Sequence, residues 1–589
     1  MAKAAVAVHK NDGFKFCVNE KSILGDSWVP MYATPEKVPF DKLHFEKAML
    51  NIIREPNINS TAILRADILT EKEYAVSLEH NLIHSTRNTY EINDPDAKMI
   101  KIDDMKLREV PIEKSLQLVT KYEIVRRIIP RNPYKDAIMN QTCLVMNSIT
   151  HAETSLIIYK PHLDKKDLCP FYIPHVNAVA ILLHQKNLSV HYIPFKDNDN
   201  NDNDNNNNND NNTCNNNITG KVTENTDNNN NGHKEQQART QKELLLDESE
   251  RVVRTAYRLL QTSFKHSKGT MQGYEKRVNH DQVVEKVKFQ DRYTNLKKKY
   301  SKFLVENWVE STDPKKHVFE DIGIAAFLIE LWIKIYGENF KQKIQFRDLG
   351  CGNAVLCYIL IQEGINGIGI DARQRKSWNI YPKEVKSCLK EQVIIPSVLI
   401  RPHPEVRKRM PHIQHNGGLF PVKVAHEYIA PATIIYSSHD LLKSPQVNIA
   451  EYPKDTFIIG NHSDELTCWI PLLGYPFMVI PCCSHNLSGQ RVRYHSNSQN
   501  KKQNSKVKNS TYAGLVDHVE SIAKKVGWQI EKEMLRIPST RNAALIGYEN
   551  PYLGKFPTMQ VYETIIEEGG AEGWIQNTMA LTKRNPRGH

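Results

Sequence analysis

The chain has ten cysteines and no C-x-x-C pair among them. No regular spacing links them either, so a disulfide framework is not expected. No secretory leader is visible. The opening "MAKAAVAVHK" carries too short an apolar run for a signal peptide. Together these absences point to a reduced intracellular compartment. Long apolar runs are missing as well. The most apolar helix candidate, "IGIAAFLIELWIKIY", includes Glu330 and Lys334 and is too short to span a bilayer. A soluble protein with no membrane partner is expected. What is present is length and positive charge. The 589 residues exceed one ordinary domain, hydrophobic residues at 40% suffice for a sizeable core, and the net charge of +11 agrees with a polyanionic partner such as nucleic acid without requiring one.

From about Asp197 to Gly232, within a candidate linker over 197–240, the sequence is nearly all Asn and Asp, as in "NDNDNNNNNDNN". Such a stretch has nothing to bury against the entropy of ordering, and reads as a disordered linker. Before it, residues 1–196 read as an α+β accessory or substrate-docking region. Strands are expected in "TSLIIYKPHL" and in "NAVAILLHQKNLSVHYIPF", the latter with a hairpin at 185–187. After it, 241–316 is charged and helical in pattern. Ile324, Phe327, Leu328, Leu331, Trp332 and Ile335 then recur at helical spacing, a stripe that predicts packing against a sheet. From Ile344 onward strands and helices alternate. "IQFRDLG", "GIGIDAR", "ATIIYSSHD", "TFIIGNHSDE" and "FMVIPCC" read as successive strands, and "WQIEKEMLRIPSTRNAALIGYE" as a closing hairpin antiparallel to the rest. That alternation predicts an α/β, doubly wound sheet over 317–560, followed by a basic tail over 561–589.

Ligands of such sheets sit beyond the carboxyl ends of the strands. "FRDLGCGNAVL" lies there. Gly350 and Gly352 permit a turn that brings backbone close to a ligand, and the helix behind it offers free N–H groups. A dinucleotide site needs a third small residue where Val355 stands, and Asp348 ahead of the glycines would repel a pyrophosphate. An acid there suits a cofactor with cationic groups, and S-adenosylmethionine carries an ammonium and a sulfonium. Asp371 closes the next strand, where ribose hydroxyls bind in such folds. Asp348, Gly350, Gly352, Asn353 and Asp371 are therefore the candidate cofactor residues. A turn with no ligand is the competing explanation of the glycines.

"FRDLGCGNAVL…GIGIDARQRKSW", with "VFEDIGIAAFLIELW" before it and "IIGNHSDELTCWIP", "VIPCC" and "LRIPSTRNAALIG" after it, resembles the tRNA (uracil-2'-O-)-methyltransferase family, which acts on uridine 44 of serine tRNAs. The likeness runs over residues 290–550. It implies a class I AdoMet-dependent methyltransferase with a Rossmann-like sheet, helices on both faces and a terminal β-hairpin, acting on tRNA in the cytoplasm. Ala354 departs from the third glycine common in this class.

Methyl transfer to a ribose hydroxyl requires a held nucleotide and an acceptor for its proton. No acid–lysine cluster of the usual kind is evident. His462, Asp464 and Glu465, after the strand "TFIIG", are the candidate catalytic residues, with Asn461 as a nucleotide contact. The competing explanation makes Ser463 a helix cap and the two acids first-turn residues. His439 and Asp440 are expected near the adenine side of the cofactor. Cys482 opens a different chemistry, a thiolate attack on a pyrimidine that leads to C5 methylation; plain core packing is its alternative. A third possibility is an RNA-binding module without activity. Cys468, Cys482, Cys483 and His485 lack paired spacing, so no zinc is expected. Candidate nucleic-acid contacts are Arg373, Arg375 and Lys376; Arg401, Arg407, Lys408 and Arg409; Arg491, Arg493 and the lysines of 501–508; and Lys583, Arg584 and Arg587. Trp378 and Tyr381 are either stacking platforms for a base or core.

Overall fold

A computed structural model describes residues 13–92, 94–196, 240–274, 280–413, 419–423, 433–495 and 510–582. Residues 197–239 of the linker expected over 197–240, the lysines of 501–508 and the terminal Lys583, Arg584 and Arg587 lie outside the described residues. The chain divides into two compact units, Met1–Glu275 and Lys276–His589.

The first unit contains β1 (Lys15–Phe16), β2 (Val29–Ala33), α1 (Lys42–Arg54), β3 (Ile63–Tyr74), β4 (Leu82–Arg87), β5 (Met99–Ile100), β6 (Leu118–Pro130), β7 (Ile138–Ser148), β8 (Thr154–Pro161), β9 (Ala178–His184), β10 (Asn187–Ile193), α2 (Gln241–Leu246) and α3 (Arg251–Met271). Its strands form one sheet in the order β1-β2-β10-β9-β8-β7-β6-β3-β4, antiparallel along that path, with β5 parallel beside β7. The expected hairpin is β9–β10. Its two-residue turn has φ of 49° at Gln185 and 69° at Lys186, the left-handed pair that matches strand twist. Phe45, Met49, Ile52 and Ile53 of α1 and Val253, Ala256 and Leu260 of α3 share a core with Val145, Ile157, Ile181 and Val190 of the sheet. The helical segment expected as one stretch over 241–316 is thus divided. Its α2 and α3 belong to the first unit because the apolar side of α3 completes that core.

The second unit runs α4 (Lys286–Glu306), α5 (Pro314–Tyr336), β11 (Gln345–Leu349), α6 (Val355–Gln362), β12 (Gly367–Asp371), α7 (Lys383–Ser387), β13 (Leu389–Glu391), β14 (Val393–Ile394), α8 (Ser397–Ile400), α9 (Pro404–Arg409), β15 (Leu419–Lys423), β16 (Thr433–Ser437), α10 (Ser438–Lys443), β17 (Val447–Asn448), β18 (Thr456–Asn461), β19 (Phe477–Ile480), α11 (Thr511–Lys525), β20 (Gln529–Met534), β21 (Ala543–Glu549), α12 (Thr558–Glu567) and α13 (Trp574–Leu581). Its main sheet is ordered β13-β12-β11-β18-β19-β21-β20. The five strands from β13 to β19 are parallel, and β21 runs antiparallel to both neighbours. Of the closing hairpin only β21 is therefore reversed; β20 runs with the rest. The sheet order turns back at β11, with β12 on one side and β18 on the other, which opens a crevice beyond their carboxyl ends.

Two expectations fail here. "ATIIYSSHD" is not in the main sheet; Thr433–Ser437 pairs with Leu419–Lys423 instead, and the third sheet strand is the short, polar Leu389–Glu391. Residues 561–582 are not a tail. Val561, Ile565, Trp574, Ile575 and Met579 of α12 and α13 sit in the core, and the Trp574 indole donates to the Ile394 carbonyl at 3.1 Å.

Helix α5 is buried on every side from Glu320 to Trp332. The stripe at 324–332 meets the sheet side, where Trp332 packs edge-on against Phe457. Its outer side is covered by α4, through Leu296, Tyr300 and Leu304 and through the Arg292–Glu330 pair at 2.7 Å. Packing accounts for its apolar residues and for Glu330. It does not account for Glu320 and Asp321.

Glu533 of β20 fixes the entry to this unit. Its buried carboxylate accepts the backbone N–H groups of Asp281, Gln282 and Val283 at 2.7–2.8 Å. Arg536 adds a bidentate pair to Asp281. Glu533→Ala strands three donors, and unfolding of the purified protein in urea is expected to show a loss of roughly 3 kcal/mol for this unit. A loss under about 0.5 kcal/mol, the range of ordinary surface substitutions, would show that the nest is dispensable.

Candidate active site

Because β11, β12, β18 and β19 are parallel, the segments that follow them share one edge of the sheet. The turn after β11 alternates left-handed residues: φ is 80° at Gly350, 52° at Gly352 and 59° at Ala354. Ala354 holds a conformation that costs a residue with a Cβ about 1 kcal/mol. At Gly350 a Cβ would stand 3.3 Å from that of Ser463, so glycine is what lets the turn and the loop after β18 approach.

The turn is held from β12 and beyond. Asp371 accepts the Gly352 N–H at 2.9 Å and the Arg373 N–H at 3.1 Å. Asn353 turns its side chain onto the Val355 N–H at 2.9 Å and starts α6. The Trp378 indole donates to the Gly352 carbonyl, and the Ser377 and Tyr381 hydroxyls donate to that of Asn353, at 2.8–2.9 Å. Trp378 and Tyr381 are buried. They brace the turn as core residues and leave no face for a base.

Asp348 is 1% exposed at the end of β11. Burial pushes its carboxyl up to about 7, against a weaker opposing hydrogen bond from Cys357. The Cys357 thiol donates to Oδ2 at 3.3 Å, while Oδ1 has no hydrogen-bond partner among the described residues. Asp321 comes to the same place from α5. Its carboxyl is raised well above the ordinary carboxylate range by burial, and next by the charges of Glu320 and Asp348. Buried acids at this density are a cost the fold would avoid unless something cationic meets them.

The loop after β18 faces these acids. Asn461 donates to Asp321 Oδ1 at 2.9 Å, and His462 Nε2 lies 3.1 Å from Glu320 Oε1. His462 has φ of 53° and Asp464 φ of 45°. Two strained residues two apart mark a loop held by its surroundings. Asn461 Oδ1 and Ser463 Oγ have no partner among the described residues. Ser463 occupies a cap position but makes no capping bond, so its expected role as a helix cap is not what the geometry shows. Glu465 stands 3.9 Å from His485.

Asp464 is committed elsewhere. It accepts the Cys482 thiol at 3.0 Å. Hydrogen bonding with Cys483, burial and the Asp464 charge raise the Cys482 thiol above its ordinary value. Cys483, lowered by the hydrogen bond from Cys482, has the Arg541 guanidinium 3.7 Å from its sulfur. The ligand atoms of Asp464, Cys482 and Cys483 lie within 4.8 Å of one another, but a cation among them would face Arg541. Cys468 donates to the His485 carbonyl.

Of the basic candidates, Arg373, Arg375 and Lys376 follow β12 at the edge of the turn; Lys376 is exposed and the two arginines are half-buried. Arg407, Lys408 and Arg409 are exposed on α9; Arg491, which pairs with His485 in a short bridge, and Arg493 beyond it are also exposed. Arg401 forms a bidentate pair with Glu451. Asp440 forms a capping box with Ser437 at the start of α10 and so has a structural role.

Glu320 and Asp321 were missed in the sequence. Their one signal is a pair of consecutive acids opening a very apolar helix, in "VFEDIGIAAFLIELW".

Residues 9–277 match a family model described as "TRM44-like, N-terminal bet v1-like domain", and residues 283–396 match "Predicted AdoMet-dependent methyltransferase". Curated relatives cover nearly the whole chain. A tRNA (uracil-O(2)-)-methyltransferase of Saccharomyces cerevisiae is 61% identical over 99% of this chain and 97% of its own length. One from Kluyveromyces lactis is 61% identical over 98% and 99%, and one from Schizosaccharomyces pombe 34% identical over 92% and 91%. No solved structure matches.

The position of Asp348 gives a pH dependence without any added ligand. Its folded value of about 7 lies above the unfolded value of about 3.9. Its contribution is therefore fully present below pH ~4 and is lost as pH rises through ~7. Urea unfolding of Asp348→Asn compared with the native protein should show the variant gaining relative stability up to about pH 7 and no further above it. A difference constant from pH ~5 to ~8 would refute the buried-acid assignment.

Proposed function

The chain belongs to the tRNA (uracil-O(2)-)-methyltransferase family, and from that membership we propose how its residues divide the reaction and on which nucleotide they act. It is an AdoMet-dependent enzyme that methylates the 2'-oxygen of a uridine in tRNA. The substrate is uridine 44 of serine tRNA, met in the cytoplasm, and the catalytic unit is a Rossmann-like class I methyltransferase. The resemblance of the motifs supports the nucleotide; the parallel strands, the turn-back at β11 and the reversed β21 support the class.

The residues present fit the cofactor. The single observation that carries this reading is Asp348, buried, with one carboxylate oxygen left without a partner among the described residues, beside a second buried acid, Asp321. Asp348 and Asp321 meet the positive charge of S-adenosylmethionine. The turn at Gly350, Gly352 and Asn353 admits it close to backbone, and Asp371 accepts its ribose hydroxyls. When bound, S-adenosylmethionine supplies a methyl carbon activated by a sulfonium.

The rest of the work falls to the loop after β18. His462 takes the proton of the ribose hydroxyl. Asp464 is engaged with Cys482 and Glu465 lies toward His485, so neither is as free to act. Asn461 holds the loop against α5 through Asp321. Arg373, Arg375, Lys376, Arg407, Lys408, Arg409, Arg491 and Arg493 bind phosphates, and the affinity for tRNA falls steeply with salt. The C5 chemistry through Cys482 is set aside, because the relatives that cover nearly the whole chain are named for transfer to the 2'-oxygen, and the thiol is engaged by Asp464.

Incubation with labelled S-adenosylmethionine and unmodified serine tRNA, followed by mass spectrometry of nuclease fragments, should place the methyl on the ribose of uridine 44. Cys482→Ala should retain the activity. A methyl on a base carbon, a methyl on a different ribose, or loss of transfer in Cys482→Ala would each contradict the reading.

A further inference from the structure

Two consecutive residues of α5 grip the last residue of β18 and the first residue of the loop after it. Glu320 takes His462 and Asp321 takes Asn461, at 3.1 and 2.9 Å. The helix residues are buried, while the His462 ring is about a quarter exposed, at 26%. It closes on a histidine whose backbone is left-handed, a conformation worth about 1 kcal/mol of strain that this contact holds in place. A loop that merely connected β18 to the next element would need neither the strain nor a buried acid opposite its histidine.

A carboxylate can only accept, so the proton of the His462–Glu320 contact sits on Nε2. The neutral imidazole then keeps its lone pair on Nδ1. We propose that Glu320 is a positioning residue for methyl transfer, holding His462 through Nε2 so that Nδ1 is the nitrogen that accepts the substrate proton. This rests on His462 taking the proton of the ribose hydroxyl. As the oxygen gains the methyl, its proton passes to Nδ1, and the sulfur keeps the electron pair of the broken S–C bond. The imidazolium so formed is stabilised by the Glu320 carboxylate and then yields its proton to water. The charged groups that face the pair are His317 and Asp321 on α5, and Asp348 on β11 faces Asp321 in turn. His317 acts on both members of the pair, and its ring stacks against Trp308.

The test is single-turnover methylation of serine tRNA across pH, with S-adenosylmethionine binding measured in parallel as a check of folding. Glu320→Gln should slow transfer by roughly 10- to 100-fold through misorientation of the base, with S-adenosylmethionine affinity changed less than about threefold. Its acid limb should move to lower pH, because the imidazolium loses its anionic partner. Glu320→Asp, which keeps the charge on a shorter arm, should recover part of the rate and keep the limb near its original position. His462→Ala should cost about 10²- to 10⁴-fold, and adding Glu320→Gln to it should cost little more. If His462→Ala transfers methyl at the native rate, the assignment of the base fails and this proposal with it. If His462→Ala is slow while Glu320→Gln keeps the native rate and limb, or if the two losses simply multiply, only the role of Glu320 is overturned. Should Glu320→Gln lose S-adenosylmethionine binding, the rate and limb of Glu320→Asp decide in the same sense.

Discussion

Two carboxylic acids, Asp348 and Asp321, are buried at the carboxyl edge of a parallel sheet. An ionised carboxylate in such a place is expensive unless charge or hydrogen bonds offset it. Here the offset from protein groups is partial. Among the described residues, Asp348 has one thiol donor and one oxygen without a partner, and Asp321 has the amide of Asn461. Burial accordingly holds both carboxyls toward the protonated form. A leucine at either position would stabilise an empty sheet better. Their presence makes sense when a cation completes the site, and that requirement organises what surrounds them.

The surroundings show how the requirement is met. The left-handed residues at 350, 352 and 354 fold the turn tightly against Asp371, and Trp378 and Tyr381 pin its carbonyls. On the other side of β11 the strained loop 461–464 is held by α5. The same helix thus supplies an acid to the cofactor side and a clamp to the loop that carries His462. In the proposed reading, cofactor charge and proton transfer both depend on this one buried helix, where Glu320 and Asp321 stand side by side.

The legible parts of this arrangement were local in sequence. Asp348, the glycines and Asp371 lie within one strand–turn–helix–strand unit, and the hairpin at 529–549 carries its turn on its face. What stayed hidden was either short or distant. Leu389–Glu391 is three polar residues long and has no strand pattern, whereas "ATIIYSSHD" has the pattern but pairs elsewhere. Val561, Ile565 and Trp574 were obscured by the basic residues that come after them. The contacts of Asp321 and Glu320 reach across 140 and 142 residues, and periodicity within one helix cannot indicate such a partner. The tyrosine and tryptophan that read as stacking platforms turned out to be braces, because burial, which decides between those roles, is set by the whole unit.

The most direct test is the pH dependence of S-adenosylmethionine binding by calorimetry, in buffers of different ionisation enthalpy. If a buried, protonated Asp348 must ionise to meet the cofactor, binding releases a proton below pH ~7 and tightens by up to about tenfold per pH unit on the approach to it, whereas Asp348→Asn binds weakly with little pH dependence. Proton release near zero throughout that range, or native affinity in Asp348→Asn, would contradict the account.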